Sequence, residues 1–357
     1  MAPTRLRRLV TLLGFLVLVA AFAAAGTGPE RAVAHEVEPR SAFAAAPAIP
    51  LGVLDASAQA AIEWRGGTVT VSTGEVLRVF VSASLPLEVE APETWAELIV
   101  GFTHGPELGL LTSFLAPLEE VQEICGARTL GCYARNQMIA PVEIPFDGTT
   151  AEEVLRHEYG HHVALHRLNP PWAAIDWGPK HWASAANVCR RAGASQAFPG
   201  DGGQNYALNP GEAWAEAYRL MDERRAGITT ATWPIVSPSF FPDEGALQAA
   251  ERDVLQPWTK PSVRSFQRTF ARPAQVWWIP LSTPLDGTLR LTAAVPRGGT
   301  HEVALVAANR RTVVRRGQWV GQRSQSLATT VCGQRSLFVR VTQRGALGPV
   351  RVSVTTS

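Results

Sequence analysis

The run His157-Glu158-Tyr159-Gly160-His161 has the residue types and spacing of a metal site. On a helix, two imidazoles four residues apart stand one above the other on one face, so both can ligate a single ion. Glu158 then sits about 100° round the axis from His157, within reach of a water beside the metal without being a ligand itself. Chance is a competitor: with eight histidines in 357 residues, the pattern arises at random in roughly one such chain in a hundred. The surroundings must therefore supply a helix and a third ligand.

Zinc used catalytically takes three protein ligands and leaves a fourth position open. The HExxHxxGxxH completion fails, because Ala164 and Arg167 stand where Gly and His are required. The better candidate lies in Tyr206-Ala-Leu-Asn209-Pro210-Gly211-Glu212-Ala-Trp-Ala-Glu216-Ala-Tyr-Arg-Leu-Met221. Asn209 as N-cap and Pro210 at the first helical position open a helix that Gly227 can close. Glu212 falls in its first turn and Glu216 one turn later on the same face, so their carboxylates can address one point. Two His and one Glu form a recognised catalytic ligand set.

The elements that must position these groups are legible around them. Thr150 and Glu153 form a capping box that places the start of the HExxH helix at Ala151. Asn169-Pro170-Pro171 should stop it, with Val154, His161, Leu165 and Leu168 sharing its inward side. Gly160 costs about 1 kcal/mol against alanine inside a helix, so either something approaches the backbone closely there or the glycine is merely tolerated. Upstream, residues 67–73 and 76–82 read as strands turning through Thr73-Gly74. Trp95–Phe102 and Phe114–Ile124 read as helices. Met138–Pro145 reads as an extended edge segment, because its two prolines cannot donate to a central ladder, and such an edge could pair with an extended peptide. Residues 172–205 are loop-like and long for a structureless connection, which suggests a functional loop or a short helix around Ala183–Arg191.

From Pro261 the pattern changes to short alternating segments, Gln275–Leu281, Thr288–Val295, Glu302–Val306, Leu337–Val341 and Val350–Val354, between Pro, Gly and Asn turns. A β-sandwich of about a hundred residues fits them. This tail is also distinct in charge. Residues 260–357 hold one Lys and fourteen Arg against Asp286 and Glu302, a net of +13 that leaves −11 for the rest of a chain whose total is +2. Such an excess favours an anionic cell-surface polymer as partner; no nucleic acid is expected.

A composition of 46% hydrophobic and 18% charged residues describes a globular chain, and its length favours two domains. Arg5, Arg7 and Arg8 precede the apolar run Leu9–Ala25, and small-residue cleavage patterns occur at Ala23-Ala24-Ala25 and Ala32-Val33-Ala34. Residues 1–34 therefore read as a secretory signal peptide and 35–60, rich in Ala, Pro and Ser, as a linker. The remaining division is 61–258 and 261–357. No later stretch is apolar enough to span a bilayer, so the mature chain is expected to be secreted. Outside the cytosol the four cysteines should form disulfides. Three pairings are open, of which Cys125–Cys132 with Cys189–Cys332 is favoured. No CxxC spacing offers a cysteine zinc site.

HEYGHH followed by NPGEAWAEAYRLM resembles the gluzincin metallopeptidases, in which HExxH is completed by a Glu on a later helix. The second block is particularly similar to the catalytic domain of anthrax lethal factor and the related Pro-Pro endopeptidases. The resemblance spans roughly residues 130–225, and no GxMEN stretch of the aminopeptidase gluzincins is present. It implies an α+β zincin-like domain holding Zn2+ through His157, His161 and Glu212, followed here by an all-β sandwich-like accessory domain. It further implies Glu216 as acceptor orienting a ligand histidine, Tyr206 as donor to the transition-state oxyanion, and Glu158 as the proton-transferring base. The expected activity is secreted, zinc-dependent hydrolysis of a peptide or protein substrate, as an endopeptidase. The alternative is a catalytically inactive zincin-fold protein that binds a cell surface or polymer.

Overall fold

The computed structural model describes residues 54–86, 91–145, 147–229 and 235–357. The expected signal peptide and most of the linker lie outside them. Order begins before Ala61: Asp55 caps a short helix, α1 (Ala56–Ala61), by accepting from the backbone N–H groups of Ser57 and Ala58. Leu54, Ala58 and Ile62 pack on a small apolar cluster with Ile124 and Ile139, so residues 54–60 belong to the folded body rather than to the linker.

Strands β1 (Trp64–Thr70) and β2 (Val76–Ser82) form the expected hairpin, and α2 (Pro92–Val100) follows. The next stretch departs from expectation. Phe114–Ile124 is not one helix: β3 (Thr112–Ala116) and α3 (Leu118–Cys125) meet at Pro117. Proline fixes its own φ and disfavours helix in the residue before it, so the apolar spacing on either side belongs to two elements. After α3 come β4 (Cys132–Ala134) and β5 (Gln137–Pro141). The sheet order is β1-β2-β3-β5-β4, with β3 parallel to both β2 and β5 and with β4 antiparallel to β5. The edges are therefore β1 and the three-residue β4, and β5 lies inside the sheet. Pro141 is tolerated because it ends that strand.

The HExxH helix is α4 (Ala151–Leu165), and its capping box is complete. Every residue from Val154 to Ala164 is buried, whereas Leu165 and Leu168 are exposed. The helix is covered on all sides rather than along one stripe, which is why its periodicity misled at the C-terminal end. It stops at Leu165, ahead of the prolines. Three short helices fill the supposed loop: α5 (Ala174–Trp177), α6 (Lys180–Ala185) and α7 (Val188–Gly193). Then α8 (Pro210–Arg225), with Asn209 accepting from the Gly211 N–H at 3.0 Å, runs against α4. α9 (Glu244–Leu255) packs on α6 and α8.

The remaining strands are β6 (Ser262–Phe270), β7 (Val276–Ser282), β8 (Gly287–Ala294), β9 (Glu302–Ala307), β10 (Val313–Arg316), β11 (Gln318–Trp319), β12 (Ser324–Val331), β13 (Ser336–Thr342) and β14 (Gly348–Thr356). They build two antiparallel sheets, β10-β9-β13-β7 and β11-β12-β8-β14-β6. Ile279, Leu305 and Val339 of the first share one core with Leu289, Leu291 and Val352 of the second. The chain is thus mixed α+β, with a helical region followed by antiparallel sheets. Both favoured cysteine pairs, Cys125–Cys132 and Cys189–Cys332, are disulfides. The second ties α7 to the sheets. Beside it Lys180 donates to the Asp286 carbonyl at 3.0 Å and Arg335 pairs with the Asp286 carboxylate. Among the described residues no helix is long and apolar enough to cross a membrane.

Candidate metal centre

The close packing of α4 on α8 is set by Gly160. A Cβ there would lie 2.8 Å from Ala215 Cα and 3.1 Å from Ala215 O. Trp214 Nε1 donates to the Gly160 carbonyl at 2.7 Å, fixing the same contact from the other helix. The glycine therefore marks a backbone crossing, and that crossing brings the first turn of α8 beneath the two histidines.

His157 Nε2 and His161 Nε2 each lie 3.3 Å from Glu212 Oε2. All three residues are buried, and among the described residues they form a His-His-Glu group able to hold a metal ion. The spacing favours ligation over hydrogen bonding. A charge-assisted N–H···O contact would close to about 2.7–2.9 Å. The edge of a tetrahedron with metal–ligand bonds of about 2.0–2.1 Å is about 3.3 Å.

The outer nitrogen of His157 is committed elsewhere. Nδ1–H donates to Glu216 Oε1 at 2.8 Å, which turns the Nε2 lone pair towards Glu212. Glu216 is itself held: Arg219 Nη2 donates to Glu216 Oε2 at 2.7 Å, and Arg219 Nη1 reaches both oxygens of Glu223 at 2.8 and 2.9 Å. Arg219 also lies 3.5 Å from Glu153 Oε1, the residue that closes the cap of α4. One buried guanidinium thus connects the start of the histidine helix to the group orienting its first histidine. His161 Nδ1 is buried with no partner among the described residues.

Tyr206, on a short 3-10 turn ahead of α8, donates to Glu212 Oε2 at 2.8 Å. Burial, reinforced by the Glu212 charge, pushes its phenol well above the usual value, so it stays a donor. Burial opposes ionisation of Glu212 and Glu216, but the histidines about Glu212, and Arg219 with His157 about Glu216, outweigh it and hold both carboxyls low. Burial likewise opposes a charged His157, yet Glu212 and Glu216 push it up to about 10. The site therefore calls for positive charge at its centre. Glu158 behaves differently: burial raises it, with the two histidines only partly compensating.

All six expected site residues are brought into one region, with His157, Glu158, His161, Glu212 and Glu216 buried and Tyr206 half-buried. Two contributors carried no sequence signal that was used. Arg219 stands three residues after Glu216 on α8, a spacing that could have identified it. Gly131, just before β4, is closer still to the chemistry. A Cβ there would lie 3.0 Å from Glu158 Oε1, 2.8 Å from Val154 Cγ1 and 3.1 Å from Ile139 O. Nothing in its local sequence signals that approach.

No protein-family model matches the chain, and no curated protein matches it. Among solved structures it is similar to the pre-peptidase C-terminal domain of a collagenase from Bacillus anthracis, at 10% identity over 27% of this chain and 89% of that one, TM-score 0.22. It is similar to IMPa of Pseudomonas aeruginosa in complex with an O-glycopeptide, at 12% identity over 52% of this chain and 24% of that one, TM-score 0.17. It is similar also to aminopeptidase A of Legionella pneumophila in complex with aspartic acid, at 8% identity over 77% of this chain and 36% of that one, TM-score 0.23. Likenesses this slight assign neither fold nor chemistry.

Proposed function

We propose that this chain is an exported zinc-dependent peptidase with a zincin-like catalytic region. The observation that carries the proposal is the 3.3 Å spacing of both Nε2 atoms from Glu212 Oε2, with Glu158 buried on the same helix. The donor set, two imidazoles and one carboxylate with a fixed tautomer at His157, suits Zn2+. A bound zinc ion supplies Lewis acidity to the scissile carbonyl and to a neighbouring water. Glu158, its carboxyl raised by burial, takes the proton from the attacking water and delivers it to the leaving amine. Tyr206, whose O–H donates to Glu212 Oε2 here, would turn it to the substrate oxygen that gains charge. Glu216, clamped by Arg219, keeps His157 from turning.

Substrate access is suggested by β4. It is one edge of the sheet, and a Cβ on Gly131, just before it, would lie 3.0 Å from Glu158 Oε1. An extended peptide paired along Cys132–Ala134 would deliver a carbonyl to that side. Export is supported by the two disulfides, which suggest a non-cytosolic protein.

The test is cleavage of a broad peptide library by zinc-loaded wild type beside Glu158→Gln. The expected result is wild-type cleavage that falls by roughly 10²–10⁴-fold in the variant, with zinc retained. A zinc-loaded wild type that cleaves nothing, or a Glu158→Gln protein that cleaves equally well, defeats the reading and favours a binding protein on the same scaffold.

A further inference from the structure

The outward face of the sheet β10-β9-β13-β7 carries an arrangement that the metal centre does not use. Ile279, Leu337, Val339 and Leu305 turn into the core, so the alternate residues Trp278, Phe338, Arg340, Ala304 and Val306 share the other face. In register, Arg340 lies between Trp278 on β7 and Ala304 on β9, and Arg316 of β10 lies across Ala304 from it. Ala304 and Val306 are buried although they face outwards. Arginine stems and ring edges roof them, as amphipathic side chains do.

The guanidinium groups of this roof are held in place without carboxylates. Arg310 sits 4.4 Å from the centroid of the Phe338 ring and 5.8 Å from that of Trp278, and Arg340 sits 5.9 Å from Trp278. Arg310 occupies the left-handed region at φ 56°, a posture that non-glycine residues rarely adopt. Asn309 Oδ1 supports the turn by accepting from the N–H groups of Arg311 and Thr312. The strained turn returns Arg310 over the sheet. Only two acidic residues follow Lys260. Asp286 is taken by Arg335, and Glu302, at the end of this face, lies 3.7 Å from Arg344. Among the described residues Arg310, Arg316 and Arg340 have no carboxylate partner, and Arg340 Nε is buried without an acceptor.

We infer that this face is a docking surface for an anionic polysaccharide. Stacked guanidinium planes with free N–H forks match carboxylate or sulfate groups. Arg340 and Arg316 are two strand spacings apart, roughly 10 Å, which suits a polymer that presents acidic groups at intervals along a flat ribbon. The surface is a sheet with no protruding helix to enter a nucleic-acid groove. Val276 and Pro280 are exposed on it, too little apolar surface to seat it in a bilayer. The disulfides suggest a non-cytosolic protein, and outside the cytosol polysaccharides are the standing polyanions.

The test uses the full chain with its disulfides intact, with binding to immobilised polygalacturonate and heparin measured near 0.15 M salt, where exposed pairs are already screened. Neutral dextran, duplex DNA and anionic phospholipid vesicles are run alongside. Arg310→Gln with Arg340→Gln is compared with Arg290→Gln plus Arg351→Gln, which removes equal charge from exposed positions on the other sheet. The expected result is binding to polygalacturonate or heparin that falls tenfold or more in the first pair and less than twofold in the second. Arg310→Lys with Arg340→Lys keeps the charge and should fall between them. Failure of both polysaccharides to bind, equal losses in the two glutamine pairs, or DNA or vesicles bound as tightly overturns the inference. Binding is read without turnover, so the outcome is independent of the peptidase reading.

Discussion

Gly160→Ala tests how the two helices define the metal centre. The new methyl would lie 2.8 Å from Ala215 Cα, 3.1 Å from its carbonyl oxygen and 3.3 Å from its Cβ. Carbon pairs are content at about 3.5–4.0 Å, and two helix backbones cannot swing aside as a side chain can. α4 and α8 must part by about 0.7–1 Å. If Glu212 moves with α8, its 3.3 Å separations from both Nε2 atoms grow to about 4 Å, against a tolerance of about 0.2 Å in metal–ligand bonds. Overpacking costs about 1–3 kcal/mol, while alanine's better helix propensity returns about 1 kcal/mol. Net destabilisation should be about 1 kcal/mol, with zinc affinity falling at least about tenfold, as for other disturbances of ligand geometry. Calorimetric zinc titration and thermal unfolding of both proteins give the two numbers. An alanine variant as stable as wild type, with unchanged zinc affinity, would refute the claim that this crossing sets the ligand spacing.

Arg219→Met should cost about 3–5 kcal/mol, because Glu216 and Glu223 are left buried without their cation, and zinc affinity should fall about 10–100-fold. Arg219→Lys should recover only part of each, since one ammonium cannot replace a fork; full recovery by Lys in unfolding and zinc titration contradicts the clamp. Gly131→Ala pushes a methyl against Glu158 Oε1 and the stiff Val154 side chain; kcat on any peptide substrate should drop with zinc content unchanged, and an unaltered kcat argues against that contact. Buried His162 donates from Nε2 to the Glu107 carbonyl at 2.8 Å and accepts at Nδ1 from Tyr133 at 2.9 Å. Burial lowers its pKa from 6.5 to about 4, so the unfolded chain takes up its proton first as pH falls. Stability should then decline from pH 6.5 down to about 4, by at most about 3 kcal/mol. In chemical denaturation His162→Gln should show a flatter profile across that window, and an identical profile removes His162 as the cause.

The site was more legible than the sheet beside it. His157, His161 and Glu212 announce themselves through helical spacing and two explicit caps, Thr150 and Asn209, because capping and side-chain register are local properties of the chain. Gly160 was legible for the same reason, as an interior glycine without a local use. Gly131 was not: what it touches lies on α4, and a lone glycine beside a cysteine reports only a turn. Phe114–Ile124 misled because two short elements joined at Pro117 kept helical spacing across the join. The edge strand was misplaced because β4 is only three residues long, too short for alternation to show, while the prolines after Ile139 drew the edge to β5. In the sheets after Pro261 the alternation found five strands. It missed β10 and β11, which are short and exposed, β6, whose residues are mostly half-buried or exposed on both faces, and β12, where Ser, Gln and Thr leave only Leu327 and Val331 for the core.

The central claim is that His157, His161 and Glu212 hold one zinc ion. Its most direct test is the zinc-to-protein ratio and dissociation constant of wild type measured beside Glu212→Ala. The account predicts one tightly held zinc per wild-type chain, and in the variant an affinity weaker by about a hundredfold or more, as expected when one of three protein ligands is lost. Equal occupancy and affinity in the two proteins would contradict it.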